Sequence, residues 1–364
     1  MIFTTTPPAF ASVNDNLIWV LFDANANDAT KLNYKYVVEV WVSGVKVYTE
    51  RSYPRPTSGF GIVDLGATIR GYINSTFAPT TTVVAQQSGA GDFCTPSIVI
   101  NVREEYNGTT GAIVLTDTAR VFFNHYNDRG EFQTAIAAYA NQPLTNRGVN
   151  IDLLSTSAYY FIPYFSTTTA AFTVVINGVS TTVTPTAANT MQLINIAVVG
   201  LLTNYAAIIN GVTYNINVVP AGMYKNYTLH FQNKFGGFES MLFNKVHKRM
   251  LDIEKKEFKQ LPYRVDGNGV MTMATGIISN EQRTTFAAKF NEKLNVQTDL
   301  LSDVDYSWLY QLNISTMVWL EDNGQIYPVV ITSSNYAFKE WIVDKLNTLQ
   351  LDLEFTTSRN TQFR

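Results

Sequence analysis

Charge, cysteine and long apolar runs are what this 364-residue sequence has least of. Charged residues make up only 15% of it, well below the roughly 25% usual for soluble domains. Its one cysteine, Cys94, excludes an internal disulfide framework and most cysteine-based metal sites. No apolar run approaches the ~20 residues of a membrane span, and residues 1–10 do not predict a signal peptide. The net charge of −3 creates no field that attracts nucleic acid.

Aromatic residues are plentiful instead, with 20 Tyr and 22 Phe, and hydrophobic residues reach 46%. Few charges combined with many aromatic side chains are typical of β-rich proteins with broad, neutral contact surfaces. The length suits two or three domains. We therefore expect a mainly β, multidomain fold with Ig-like (immunoglobulin-like) or other β-sandwich modules and a few short helices.

The first domain is predicted at residues 1–105, as an Ig- or fibronectin-like β-sandwich with an N-terminal arm. Alternating hydrophobicity predicts its strands, at 17–23, 33–44, 45–53 and 97–106. Ser43 and Gly44 predict a hairpin turn between the second and third strands. Residues 1–12 contain Pro7-Pro8, which favours an extended arm or edge strand, and we expect this arm to reach a neighbouring subunit.

One helix is predicted in the first half of the chain, at residues 63–77. Asp64 is its candidate N-cap, and Leu65, Ile69 and Tyr72 share one face. Residues 106–158 are then predicted to be a linker and bridging region, in which 134–148 form a mobile or partner-dependent loop. The long loops are expected to contact neighbouring subunits, and they comprise residues 24–32, 78–96 and 133–150.

The third segment, residues 159–225, is predicted to be an insertion domain rich in β-hairpins. An Ile-Asn-Gly-Val sequence occurs twice, at 176–179 and 209–212, and Asn-Gly between β-branched residues is a strong hairpin signal. Two hairpins of one small sandwich explain this repeated sequence better than a solenoid does, since a solenoid needs at least three repeats.

Residues 226–364 are predicted to be a C-terminal β domain with one amphipathic helix. The stretch YTLHFQNKFGGFESMLF, residues 227–243, reads as two strands joined at Gly236-Gly237. Asn323-Gly324 predicts another hairpin, and residues 348–355 alternate as a closing strand. A helix is predicted at 299–312, with one apolar face formed by Leu300, Val304, Trp308 and Leu312.

The most charged run, residues 245–260, mixes lysines with Asp252, Glu254 and Glu257. A solvated face is the simplest interpretation. The functional alternative is a salt-dependent contact with an acidic partner subunit or with packaged DNA.

Candidate catalytic residues are few, and none of them forms a recognisable motif. The three histidines, His125, His230 and His247, are far apart in sequence and lack nearby ligand partners. Cys94 has no neighbour that would lower its thiol pKa. Acidic pairs occur at Asp252 with Glu254 and Glu257, at Asp303 with Asp305, and at Glu321 with Asp322. The sequence therefore predicts no catalytic residues, no cofactor-binding residues and no metal site.

Three stretches resemble structural proteins from tailed phages of Bacteroidetes, the crAss-like phages among them. They are LHFQNKFGGFESMLFN (229–244), WLEDNGQIYPVVITSSNYAFKE (319–340) and DKLNTLQLDLEFTTSRNTQFR (344–364). The segment PRPTSGFGIVDLGATIRGYI is similar to the front of such proteins, whereas residues 150–225 show no such similarity. The resemblance carries over no functional residues, since these motifs belong to the fold.

The resemblance implies a virion component of the neck or tail, one of the rings stacked below the portal. We expect a homo-oligomeric ring, twelve-fold by this interpretation, assembled in the bacterial cytoplasm. Its partners would be the portal or neighbouring ring and tail proteins, with possible DNA contact in the lumen and no membrane. The alternatives are a tail fibre or baseplate module that binds a host receptor or glycan and, third, a tail-borne depolymerase.

Overall fold

The structure is a computed structural model that describes residues 1–73, 77–86, 97–124, 129–220, 225–245, 247–259, 263–273, 283–333, 347–356 and 362–363. Cys94, His125 and the second half of the predicted loop at 78–96 lie outside these residues. Within the described ranges the chain is mainly β with three α-helices, which confirms the predicted fold class.

The N-terminal part folds as two sheets across one hydrophobic core, a β-sandwich. Its elements are β1 (Ile2–Thr5), β2 (Phe10–Ser12), β3 (Ile18–Phe22), a 3-10 turn (Ala24–Asn27), β4 (Lys35–Val42), β5 (Val45–Ser52), β6 (Phe60–Asp64), α1 (Gly66–Arg70), β7 (Val84–Gln86), β8 (Ser97–Tyr106) and β9 (Thr109–Phe122). One sheet has the order β1-β3-β6 and the other β2-β9-β8-β4-β5, while β7 joins a sheet described below. The predicted strands and the Ser43-Gly44 hairpin are confirmed.

Residues 10–12 form an edge strand, as one of the two predictions for the N-terminus had it, but they do not form an arm that reaches a neighbouring subunit. These residues form β2, which pairs in parallel with β9. Ala11 and Ser12 are completely buried, so this segment belongs to the core of its own chain. β1 does form an edge strand, paired with β3.

The predicted helix at 63–77 is much shorter in the structure. The chain is still in strand β6 at Asp64, whose carboxylate accepts a hydrogen bond from the Gly66 backbone N–H at 3.0 Å. Among the residues of this stretch that the structure describes, only Gly66–Arg70 are helical. Leu65 and Ile69 are buried as expected, but Tyr72 is 48% exposed, because it lies beyond the helix.

The middle part of the chain contains two sheets packed face to face. Its elements are α2 (Arg129–Ala137), β10 (Gln142–Pro143), β11 (Asn150–Leu154), β12 (Phe161–Ser166), β13 (Phe172–Ile176), β14 (Val179–Val183), β15 (Thr190–Asn195), β16 (Tyr205–Ile209) and β17 (Val212–Val219). The four-stranded sheet is β10-β12-β15-β7, and the five-stranded sheet is β11-β17-β16-β13-β14. Both Asn-Gly hairpins are confirmed, with Asn177 and Asn210 at positive φ.

Two sequence expectations for residues 106–150 are wrong. The first part of the predicted linker at 106–158 is not a linker, because β9 pairs with β8 and belongs to the N-terminal sheet. Residues 134–148 are not a mobile loop. They contain the end of α2 and strand β10, and Leu144 and Arg147 within them are buried because they pack between domains.

The C-terminal part forms the largest sheet. Its elements are β18 (Tyr227–Gln232), β19 (Phe238–Phe243), β20 (Lys248–Lys259), β21 (Tyr263–Val265), β22 (Met271–Met273), β23 (Arg283–Gln297), α3 (Asp303–Ile314), β24 (Val318–Asp322), β25 (Gln325–Ile331), β26 (Gln350–Phe355) and β27 (Gln362–Phe363). The order is β19-β18-β24-β25-β26-β23-β20, with β27 on β23, while β21 and β22 pair separately. The predicted hairpins at Gly236-Gly237 and Asn323-Gly324 are confirmed.

Helix α3 is confirmed, although its predicted apolar face is half wrong. Trp308 and Leu312 are fully buried, with Leu309 beside them. Val304 is 55% exposed, and Leu300 lies before the helix and is 56% exposed. Each i, i+4 step overshoots one helical turn by about 40°, so four residues spaced this way cannot stay on one face.

The four-stranded sheet is the middle of three layers. Ile162 and Tyr164 of β12 pack into the core shared with the five-stranded sheet. Phe161 and Phe165, on the other face of β12, pack with Phe238 in an aromatic core shared with the C-terminal sheet. Every residue of β12, β15, β18 and β19 is buried, because both faces of these strands are covered. The polar face of β18 therefore lies between sheets, away from solvent.

Candidate functional site: a buried polar interface and an exposed ribbon

The turn between β18 and β19 is built around the side chain of Asn233. Its amide oxygen accepts hydrogen bonds from the backbone N–H groups of Phe235 and Gly237, both at 3.0 Å. Gly236 has a φ of +99°, which favours glycine. A Cβ on Gly237 would lie 2.5 Å from the Cβ of Pro163, so the second glycine permits close contact with β12. The sequence predicted the turn, but not this contact between domains.

Arg147 and Glu239 form a buried pair of opposite charges at the same interface. Arg147 donates hydrogen bonds to the Ser240 carbonyl and the Tyr160 hydroxyl, each at 3.0 Å, and its guanidinium lies 4.5 Å from the Trp308 ring centre. Burial raises the pKa of Glu239, and the positive charge of Arg147 opposes that rise. Burial alone would lower the pKa of Arg147, but the nearby Tyr160 and Glu239 outweigh it and raise that pKa. The segment before β11 is thereby fixed to β19.

His230, Ser240 and Glu321 form a second buried group. The Ser240 hydroxyl lies 2.8 Å from Nδ1 of His230 and accepts a hydrogen bond from the Phe161 backbone N–H at 2.8 Å. Glu321 Oε2 is 3.6 Å from Nε2 of His230, longer than a hydrogen bond, and accepts one from Ser157 at 2.7 Å. Phe161 and Ser157 belong to the middle part of the chain, so this group also connects the sheets.

The group has the residue types of a hydrolase triad, but its environment does not suit catalysis. His230 and Ser240 are completely buried and Glu321 is 5% exposed. A nucleophilic serine must contact its substrate, whereas the Ser240 hydroxyl is buried and accepts a hydrogen bond from the Phe161 backbone N–H. His230 lies on the polar face of β18, and the middle part of the chain covers that face. No signal in the sequence indicated what covers it.

The remaining acidic candidates have separate structural partners. Asp252 pairs with Lys293 at 3.0 Å, and Asp322 with Lys225 at 2.6 Å. Asp305 accepts a hydrogen bond from the Gly148 N–H at 2.9 Å, and Asp303 accepts one from Asn347 at 2.9 Å. In the described part of the chain, no group of three or more His, Cys, Asp or Glu residues could hold a metal ion.

The charged run predicted as a solvated face forms an exposed two-stranded ribbon. We define the ribbon as residues 252–259 of β20 with residues 283–291 of β23. β20 pairs with β23 along its whole length, whereas β26 pairs with β23 only from Lys293 to Gln297. The ribbon therefore extends beyond the main sheet, and β27 contacts it only at Ala287 and Ala288. Eight residues of strand span roughly 26 Å.

The ribbon and its base are amphipathic. Ile253 lies opposite Phe290, and Leu251 lies two residues away on the same face. Further along this face of β23, Leu294 and Val296 belong to the core beneath α3. Leu251 and Ile253 are nevertheless 56% and 54% exposed. We call Leu251, Ile253 and Phe290 the apolar strip. It extends the core-facing side of the sheet into the ribbon, where Glu292, opposite Leu251 and paired with Arg249, separates it from Leu294.

The opposite face of the ribbon carries charges of both signs. Glu254 lies directly opposite Lys289, and Asp252 bonds Lys293. Opposite charges on facing strands are mildly stabilising and keep this face hydrated. The alternation of apolar and charged residues was present in the sequence, but two consecutive lysines, Lys255 and Lys256, obscured it.

The outer face of the five-stranded sheet is a second broad surface. Asn215 bonds Asn150 at 3.0 Å and Asn217 bonds Asp152 at 3.1 Å, in a ladder of amide and carboxylate groups. The described side chains on this face are small, polar or aliphatic, and none is aromatic. Glycan-binding surfaces often use aromatic rings beside such groups, so a main element of a sugar site is missing here.

Comparison with models of known protein families and with curated protein sequences finds no match to this chain. Among the described residues, no helix is both long and apolar enough to cross a bilayer.

We predict that Arg147→Met will lower the free energy of unfolding by about 3–5 kcal/mol, since it leaves the buried Ser240 carbonyl and Tyr160 hydroxyl without their donor and removes the positive charge near Glu239. The matched control is Arg283→Met, which removes an exposed arginine paired with the exposed Glu257 and should cost at most about 1 kcal/mol. Urea unfolding of both variants as isolated chains measures the difference. Equal effects would mean that the buried pair does not hold the interface.

The pH dependence of stability should report His230. Burial lowers the pKa of His230 below its ordinary 6.5, while Glu321 opposes the shift, so near pH 6 the unfolded chain binds a proton that the folded chain does not. The stability contributed by neutral His230 is complete above pH 6.5 and is lost as the pH falls below it. Unfolding free energies measured between pH 7.5 and 5.5 should fall more steeply for the natural chain than for His230→Asn. Identical slopes would contradict this assignment.

Proposed function

We propose that this chain is a structural protein of a tailed-phage virion, which assembles with copies of itself into a ring of the head–tail connector or tail. The observation that carries the proposal is the ribbon, whose apolar strip is exposed in the isolated chain. A two-stranded hairpin is at best marginally stable in water and needs a further layer against its apolar face. A neighbouring subunit supplies that layer.

The remainder of the chain supports the same function. The buried Arg147, its partners at the interface and the shared aromatic core join the middle and C-terminal sheets into one unit, as a ring under mechanical force requires. Low charge, abundant aromatic residues and the resemblance to phage neck and tail proteins agree with it. The ring is twelve-fold, contacts the portal or neighbouring ring and tail proteins, and forms part of the virion after assembly in the host cytoplasm.

The alternatives have less support. A depolymerase needs accessible carboxylates or an accessible nucleophile, whereas Ser240, His230 and Glu321 are buried. A receptor- or glycan-binding fibre would be served by exposed aromatic rings beside the Asn–Asp ladder, and the described face has none.

We predict that the double variant Leu251→Ser, Ile253→Ser will weaken ring formation at least tenfold per contact. Replacing two half-exposed aliphatic side chains removes about 1.4 kcal/mol or more of apolar burial at the interface. The matched control is Val199→Ser, Leu202→Ser, which changes two exposed aliphatic residues of a loop, 64% and 74% exposed. Mass photometry over a concentration series measures assembly, and circular dichroism checks that each monomer folds.

Unchanged assembly of the Leu251, Ile253 variant would contradict the role of the ribbon. Symmetry from averaged electron micrographs adds an independent result. A closed ring of more than three subunits supports the proposal, whereas a trimer would overturn it in favour of a fibre or baseplate module.

A further inference from the structure

Two long edge strands are unpaired on one side in the part of the chain that the structure describes. β20, with twelve residues, ends the C-terminal sheet, and β5, with eight, ends the larger N-terminal sheet. The other edge strands have six residues or fewer. An edge strand presents unpaired N–H and C=O groups that another chain can extend, and native proteins usually shorten or cover such edges.

The exposed parts of these two edges have complementary patterns. On β5, Lys46 lies between Val45 and Val47, and on β20, Asp252 lies between Leu251 and Ile253. Val45 is 64% exposed, and the side chains of Lys46 and Asp252 are 40% and 63% exposed. In each triplet the charged residue is flanked by two aliphatic residues. Lys46 would therefore face Asp252, and aliphatic side chains would face each other, whether the two strands pair in parallel or antiparallel.

The two faces of the edges also correspond. Val45 lies opposite Val42 and therefore on the core side of the N-terminal sheet, whereas Lys46 lies on the outer side near Glu39. Leu251 and Ile253 likewise continue the core side of the C-terminal sheet, with Asp252 on the charged side. Edge-to-edge pairing would thus join apolar face to apolar face. The β-bulge beside Val47 limits this pairing to the first residues of β5.

We propose that β5 of one copy pairs with β20 of the next, so that a continuous sheet crosses each subunit boundary and Lys46 faces Asp252. This inference rests on the proposed assembly and specifies its interface. The contact joins two different surfaces of the same chain, and such a heterologous contact closes into a ring when its rotation permits. It also brings Val45 and Val47 against the apolar strip.

A charge exchange tests the contact. Asp252→Lys should weaken assembly about tenfold by placing two lysines face to face, and so should Lys46→Asp, which sets two carboxylates together. The combined variant Lys46→Asp, Asp252→Lys should recover most of this loss. The matched control combines Lys46→Asp with Glu254→Lys, a neighbouring carboxylate on the same face as Asp252, and should recover nothing. Mass photometry gives the apparent dissociation constant of each chain.

A second measurement does not depend on how Lys46→Asp affects Glu39 in the monomer. Chains that carry Cys94→Ser with either Lys46→Cys or Asp252→Cys are mixed and oxidised, and they should form a disulfide between chains. Replacing Asp252→Cys by Lys259→Cys, at the far end of β20, should prevent it. Ring formation without the cross-link or the rescue would overturn the β5–β20 contact and leave the proposed function standing. A natural chain that stays monomeric would overturn both.

Discussion

The buried guanidinium of Arg147 is the constraint on which the arrangement of this chain depends. A charge with so little exposure is tolerated only where hydrogen bonds and an opposite charge surround it, and Ser240, Tyr160 and Glu239 supply them. These partners come from different parts of the sequence. The segment before β11 must therefore lie against the β18–β19 hairpin, which places the four-stranded sheet between two other layers. The close contact at Gly237 follows from the same arrangement.

Local patterns predicted most strands, since their signals are short-range. Asn-Gly pairs marked three hairpins correctly, and alternation located β4, β8 and β26. The errors arose where distant packing decides. Residues 134–148 looked like a loop because Asn, Pro, Thr and Gly cluster in their second half, yet Arg147 is buried by partners that no local pattern reveals. His230 lies on the polar face of β18, but a sequence does not show that another sheet covers that face.

The ribbon illustrates a different limit. Its alternating residues were visible in the sequence, but the number of charges between 245 and 260 suggested a hydrated surface. Pairing with β23 places Asp252 and Glu254 on one face of the ribbon. The other face carries Leu251 and Ile253, flanked there by Arg249 and Lys255. The polar groups of the chain thus have two roles. Buried groups such as Arg147 and Glu239 connect its own sheets, and exposed ion pairs border the surface that we assign to the next subunit.

Hydrogen exchange, compared between the assembled particle and the isolated chain, tests the central claim most directly. Backbone amides of β18 and β19 should be protected in both samples, since these strands are covered within one chain. Those amides near residues 251–253 of β20 that do not bond β23 should exchange readily in the isolated chain and become protected in the particle. Equal exchange of these β20 amides in both samples would contradict assembly through the ribbon.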